Sequence, residues 1–326
     1  MPTLNIDGSN PGPAIDLSDF PQSSIVSRFN TEENHMYAIT GITGKVGGAL
    51  AATLLAAGLP VRAVVRDATK GAAWAARGCE VALAEMKDAT ALTAAFAGAE
   101  AVFILPPSEF DPKPGYGQAR ETIDAIVAAL IAARPGKALC LSTIGADAAQ
   151  DNLLTQRTLL EQALLALPVP VTFLRPGWFL ENSLWDVASA REDGVIRSFL
   201  APLDKPFPMV ATKDIGTLAA RLIQEDFTGQ RVVELEGPRR VSPNDLAAAF
   251  AKALGRPVRA EIVPRDGWET MFRSQGAANP YPRIRMLDGF NEGWIEFSGG
   301  GANSVKGSTD AETVIAELVQ RDAVAA

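Results

Sequence analysis

The stretch Tyr37-Ala38-Ile39-Thr40-Gly41-Ile42-Thr43-Gly44-Lys45-Val46-Gly47 decides the fold. Four apolar or β-favouring residues form a strand, three glycines follow at a spacing of three, and Lys45–Ala57 continues as an Ala/Leu-rich helix stopped by Gly58. Each glycine has its own task in such a turn. Gly41 lets the chain reverse, Gly44 lets backbone N–H groups approach a pyrophosphate, and Gly47 permits close packing of helix and sheet. The helix N-terminus then favours the phosphate charge. A glycine triplet alone is a weak signal in a chain with 28 glycines, and its place between strand and helix makes it a strong one.

Downstream, strands and helices alternate. Strands are expected at Val61–Val65, Val81–Leu83, Ala101–Leu105, Ala138–Ser142 and Val171–Leu174, with helices at Ala89–Phe96, Arg120–Ala133 and Leu153–Leu167. This rhythm predicts βαβ crossovers and a doubly wound α/β parallel sheet of the Rossmann type over residues 36–175, covered on both faces. After Arg175 the rhythm breaks. Residues 176–326 predict mainly a small C-terminal α/β lobe for substrate, with strands that return to the sheet: a helix at Lys213–Gln224, a strand at Arg231–Glu236, a helix capped at Ser242-Pro243-Asn244-Asp245, and a last helix opened in the same way by Thr309-Asp310-Ala311-Glu312. Residues 1–35 carry five acids against the single base Arg28 and no apolar period. They read as a flexible N-terminal arm, a loose leader being favoured over a strap for a partner subunit.

Composition excludes several classes. The chain has 326 residues, 47% of them hydrophobic, which suffices for a large core, and a net charge of −8 argues against nucleic-acid or acidic-membrane partners. The longest uncharged stretch, Val46 to Val61, is too short and too rich in glycine to span a bilayer, and no secretory leader is visible. Two cysteines, Cys79 and Cys140, fit a reducing, cytoplasmic setting. The single histidine, His35, leaves no material for a Ser-His-Asp triad or a histidine metal cluster, and no metal is expected.

The end of the second strand selects the cofactor. Arg66, with Lys70 a turn later, suits a 2′-phosphate, so NADP(H) is preferred; Asp67 could reach the ribose, which leaves NAD(H) open. Asp88 sits where the adenine amino group is contacted, or caps a helix. Leu105, Pro106 and Ser142 end the fourth and fifth strands beside the crevice, and Pro176 follows the sixth. Thr43, Lys45 and Val46 complete the turn.

The glycine pattern with Arg66, the segment Arg175-Pro176-Gly177-Trp178-Phe179-Leu180-Glu181-Asn182, Lys213-Asp214-Ile215-Gly216 and Glu236-Gly237-Pro238 resemble the NmrA-like family of atypical short-chain dehydrogenases, from about Met36 onward. The resemblance implies a Rossmann domain with a small C-terminal lobe and bound NAD(P), often NADP(H). Some members reduce quinones, azo compounds or small metabolites; others are redox-sensing regulators. The chain departs from the wider family at the Tyr-x-x-x-Lys motif, where Leu153 and Arg157 stand. Leucine transfers no proton, while Arg157 could hold the nicotinamide ribose. The catalytic residue is therefore open among Tyr116, Asn182 and Arg157. The expected acceptor pocket is aromatic: Tyr116, Trp178, Phe179, Trp185, Phe207 and Trp268, with Asn182 as a polar handle, although any one aromatic near such loops more often packs than lines a site. The chain thus reads as an NADPH-dependent oxidoreductase acting on a small quinone-like acceptor. The rival is a non-catalytic NADP(H) sensor; a homodimer is compatible with either.

Overall fold

The computed structural model describes residues 35–325, so the expected N-terminal arm lies outside the described residues, His35 apart. The chain runs β1 (Tyr37–Thr40), α1 (Lys45–Ala56), β2 (Val61–Val65), α2 (Ala68–Ala75), β3 (Glu80–Leu83), α3 (Ala89–Phe96), β4 (Ala101–Ile104), α4 (Gly117–Ala133), β5 (Lys137–Leu141), α5 (Thr155–Leu165) and β6 (Val171–Pro176). It continues through β7 (Trp178–Phe179), α6 (Val187–Glu192), β8 (Val195–Ser198), β9 (Met209–Val210), α7 (Thr212–Leu222), β10 (Gln230–Glu236), α8 (Pro243–Leu254), β11 (Arg259–Ile262), α9 (Trp268–Ser274), α10 (Tyr281–Glu292), β12 (Val305–Lys306) and α11 (Ala311–Ala325).

Eight parallel strands form one sheet in the order β12-β10-β6-β5-β4-β1-β2-β3. The order reverses between β1 and β4, so the crevice for a ligand opens at their carboxyl ends. Both faces are buried, and the period of two shows it. Ile39, Phe103, Leu139 and Leu174 join the core under α1 and α7, while Ala38, Val102, Cys140 and Phe173 join the core under α3, α4 and α5. Two short pairs, β7 with β9 and β8 with β11, build the C-terminal lobe around a third core that includes Phe250, Phe290 and Ile315.

Two local findings differ from the sequence reading. Helix α2 was not expected; its cap is Asp67. The last helix is capped by Asp310, whose carboxylate accepts from Thr313 N, because Thr309 is engaged elsewhere. Helix α8 carries the expected Ser242/Asp245 capping box. His35 pairs with Glu100 at the amino-terminal edge of the sheet, opposite the crevice. Both cysteines are buried and free. Among the described residues no helix is long and apolar enough to cross a membrane, and no cluster suits a metal ion.

Candidate cofactor and acceptor site

Gly41 takes the left-handed conformation (φ +63°) that turns β1 toward α1. A Cβ on Gly47 would stand 2.4 Å from Gly41 O, so the third glycine admits the helix against its own turn rather than against the sheet. Gly44 is the N-cap of α1, with no side-chain cap and no acid in the first turn. The first amides of α1 are therefore free for an anion, and the exposed Thr43, Gly44 and Lys45 surround them. Val46 is buried in the core, which leaves only its backbone for a ligand. Below the turn, Thr40 Oγ1 donates to Phe103 O (2.9 Å) and accepts from Leu105 N (2.8 Å), joining β1 to the end of β4.

Arg66 and Lys70 are exposed, and among the described residues neither side chain makes a hydrogen bond or a salt bridge, although the Lys70 charge acts on the Asp67 carboxylate. Lys70 lines a groove of about 440 Å³ between α1 and α2, together with Thr43, Gly44, Gly48, Trp74 and Arg77. Asp67 accepts from Thr69 N (2.8 Å) and Lys70 N (3.4 Å), bonds that hold its carboxyl below the usual carboxylate range. It is a helix cap before it is a ribose ligand. Asp88 likewise caps α3 through Ala91 N (2.9 Å).

At the β4–β5 side, Leu105 is half-buried and Pro106 buried. Arg157 Nη2 reaches from α5 to Pro106 O (2.9 Å) and Ser108 Oγ (2.8 Å), and its burial pushes the guanidinium pKa down. Ser142, expected beside the crevice, has its side chain engaged within the protein. Its hydroxyl is buried and donates to Glu161, whose carboxylate is also gripped by Arg175 (3.0 and 2.6 Å); Arg175 in turn holds Asp147 (2.8 Å). At its outer end the network meets solvent through the half-exposed Asp147, where Asp147, Glu161 and Arg175 line a cavity of about 540 Å³. Pro176, also buried, ends β6.

Tyr116, a candidate catalytic residue, is held by neighbouring groups. Its ring is buried, its backbone is left-handed (φ +58°), and its hydroxyl lies 2.7 Å from Asp151 Oδ1 and 2.8 Å from Asn152 O. Burial, then the Asp151 carboxylate, raises its pKa far above the ordinary phenol. Such a hydroxyl ties two loops together and keeps its proton, which makes it a weak acid. Leu153 follows directly, buried before α5, with its N–H on Pro282 O (2.9 Å).

The aromatics divide. Trp178 and Phe179 are half-buried on β7, with Trp178 edge-on to Phe290 at 5.3 Å between ring centroids. Asn182, on the 3₁₀ segment Leu180–Asp186, is partly exposed and has no hydrogen-bond partner among the described residues. Trp185 is 74% exposed, in open solvent rather than a pocket wall. Trp268 and Phe207, each 2% exposed, are core residues; Trp268 spends its indole N–H on Val263 O (2.9 Å). Sequence reasoning also missed Thr40 and Gln156. The buried Gln156 amide bridges Glu109 N (3.1 Å) and Glu109 O (2.8 Å), fixing the loop after β4. Partners so distant in sequence leave no local signal.

The sequence profile of the NmrA-like family matches residues 33–293. The chain belongs to the NmrA-like family. This NmrA-like protein is 31% identical over 228 residues to an NAD(P)H azoreductase of Xenophilus azovorans, which covers 69% of this chain and 76% of that protein. It is 30% identical over 244 residues to quinone oxidoreductase 2 of Escherichia coli strain K12, covering 74% and 82%. The crystal structure of the NADPH-dependent quinone oxidoreductase of Escherichia coli in complex with NADPH superposes with a TM-score of 0.71 at 26% identity, over 88% of this chain and 99% of that one. The other motifs of this NmrA-like protein act as staples. Asp214 accepts from Ser308 N (2.9 Å), Thr309 N (2.8 Å) and Thr309 Oγ1 (2.7 Å). Gly216 lets α7 lie on α1, where a Cβ would meet Ala49 Cβ at 2.5 Å. Glu236 is buried and accepts from Lys306, from Ser304 Oγ (2.6 Å) and from Arg240 (2.9 Å).

Proposed function

We propose that this protein is an NADPH-dependent oxidoreductase that reduces a small, flat, electron-poor acceptor of the quinone type without a tyrosine acid. The uncapped, acid-free N-terminus of α1, with the exposed cations Arg66 and Lys70 following β2, carries the reading. These residues fit the cofactor. The amides of Lys45, Val46 and Gly47 would take the pyrophosphate, Arg66 and Lys70 the 2′-phosphate, and Arg157 the nicotinamide ribose. Bound NADPH supplies a hydride.

The chain's own part is to bind, orient and exclude water. Leu153 stands in the place of a proton donor and supplies none, and Tyr116 is committed to Asp151 and Asn152. An acceptor that stabilises its own reduced anion needs no side-chain acid, since water can deliver the proton. The relatives named for quinone and azo reduction support this acceptor class. Trp178, Phe179 and Asn182 are left as the wall and handle that orient the acceptor.

The experiment is to incubate the protein and NADPH with a panel of quinones, azo dyes, enones and simple ketones, and to follow cofactor oxidation. Quinones are expected to turn over and ketones to lag far behind, because general acid catalysis is worth ~10²–10⁴-fold. Brisk ketone reduction would overturn the reading. If nothing in the panel oxidises the cofactor while NADPH binds, the NADP(H)-sensing regulator takes its place.

A further inference from the structure

The loop after β4 and the approach to α5 are bridged by a segment from the far end of the sequence. Asp111 accepts from Ala278 N (2.8 Å) and Asn279 N (2.6 Å), Asn279 Nδ2 donates to Pro112 O (2.6 Å), and Pro282 O accepts from Leu153 N. Residues 278–282 are thus fixed over the position where a short-chain dehydrogenase carries its tyrosine, and Arg283 comes next on α10.

Arg283 is unlike its neighbours. Arg265 and Arg285 both meet Asp288, and Arg273 meets Glu269. Arg283 is half-buried, and among the described residues it has neither a carboxylate nor a hydrogen-bond acceptor. Its guanidinium lies 4.2 Å from the centre of the Phe272 ring, and burial alone lowers its pKa. None of its nitrogens is sealed from solvent, so a ligand can reach them. Seven residues on, and so on the same face of α10, Phe290 supports Trp178 of the acceptor wall. A desolvated cation without a counter-charge is costly in a folded protein unless something else supplies the charge.

We propose that Arg283 is a specificity-determining residue that holds an anionic group on the acceptor. The preferred substrates are then planar electron-poor aromatics bearing a sulfonate, carboxylate or phosphate, which the planar fork engages with two parallel bonds. This rests on the acceptor site proposed above, and it names the chemistry of what enters that site.

The test compares naphthalene-2-sulfonate with neutral 2-methoxynaphthalene, titrated into the cofactor-free protein and read by tryptophan fluorescence. The wild type should favour the sulfonate. Arg283→Leu should weaken the sulfonate roughly ten- to a hundredfold and leave the neutral probe unchanged, and Arg283→Lys should restore part of the loss. In turnover, KM for 1,2-naphthoquinone-4-sulfonate should rise by a similar factor in Arg283→Leu, with kcat and the KM of neutral 1,2-naphthoquinone held. Equal weakening of both probes, or no weakening of either, would show that Arg283 only packs on Phe272 and overturn the proposal. If no quinone consumes NADPH while the sulfonate preference still depends on Arg283, the anion site stands and the oxidoreductase reading falls.

Discussion

Arg66 sits at the end of β2 with no acid to neutralise it, so a cofactor carrying a 2′-phosphate should bind better than one without. NADPH is expected to bind about ten- to a hundredfold more tightly than NADH, the worth of one charge-assisted bond, and Arg66→Asp should reverse the order. Equal dissociation constants in the wild type would refute this. Two glycines in the turn make a sharper contrast. Gly44 has an ordinary extended backbone (φ −87°) and only Gly41 O near its missing Cβ (3.2 Å). Gly44→Val should fold, by circular dichroism, yet lose NADPH affinity by more than about tenfold as the side chain blocks the amides. Gly47→Val must instead clash with Gly41 O, and should lose roughly 1–3 kcal/mol or more in urea unfolding. Tyr116→Phe removes one buried hydroxyl from Asp151 and Asn152. It should cost about 1–2 kcal/mol of stability and leave the kcat for quinones nearly unchanged. A collapse of kcat would reinstate Tyr116 as the acid.

Among the elements, the segment Leu180–Asp186 and helix α6 carry a latent pH response. Burial lifts the Asp186 carboxyl from 3.8 to about 6, with a backbone bond from Arg197 pulling the other way. The folded state therefore holds this proton more tightly than the unfolded chain. The associated stability is complete below about pH 4 and is lost as the pH rises through 6. Asp186→Asn should raise stability at pH 8 by roughly 2–3 kcal/mol and change little at pH 4, as thermal unfolding at the two pH values would show. An equal gain at both values would assign the effect to packing. Elements with strong local grammar were legible in the sequence. Tyr37–Thr40, Val61–Val65 and Ala89–Phe96 fold as read, because apolar runs, a glycine turn and a cap residue each lie within a few positions. Helix α2 was not legible, since it buries only Gly71 and Trp74 and its cap, Asp67, has the chemistry of a ribose ligand too. The surroundings of Ser142 were not legible for a related reason: nothing near it in sequence announces that its hydroxyl will meet Glu161, itself held by Arg175.

At the scale of the molecule, the C-terminal lobe cannot be lifted from the nucleotide-binding half. Strands β10 and β12 extend the main sheet beyond β6, and α7 lies on α1 through Gly216. A side chain at Gly216 would press on Ala49 and on Leu50 N, displacing the helix whose N-terminus is proposed to hold the phosphates. Gly216→Leu should lower stability by about 1–3 kcal/mol in one cooperative transition and also weaken NADPH binding. Two separate transitions would argue that the halves fold independently. These ties join residues far apart in the chain, which is why the sheet's centre could be read from the sequence and its β12 edge could not.

The hydroxyl of Thr40 has a consequence for the crevice floor. At the carboxyl end of β1, where the β1–β4 pairing ends after Ile39 and Phe103, the Thr40 hydroxyl reaches Phe103 O and Leu105 N, groups that a trapped water could otherwise join. Here one side-chain oxygen answers both. The angle at which the two strands part is thereby set by a covalently attached group that cannot exchange with solvent. A nucleotide bound against this floor would then have no structural water to release or capture at that point, and that share of the binding entropy would be absent.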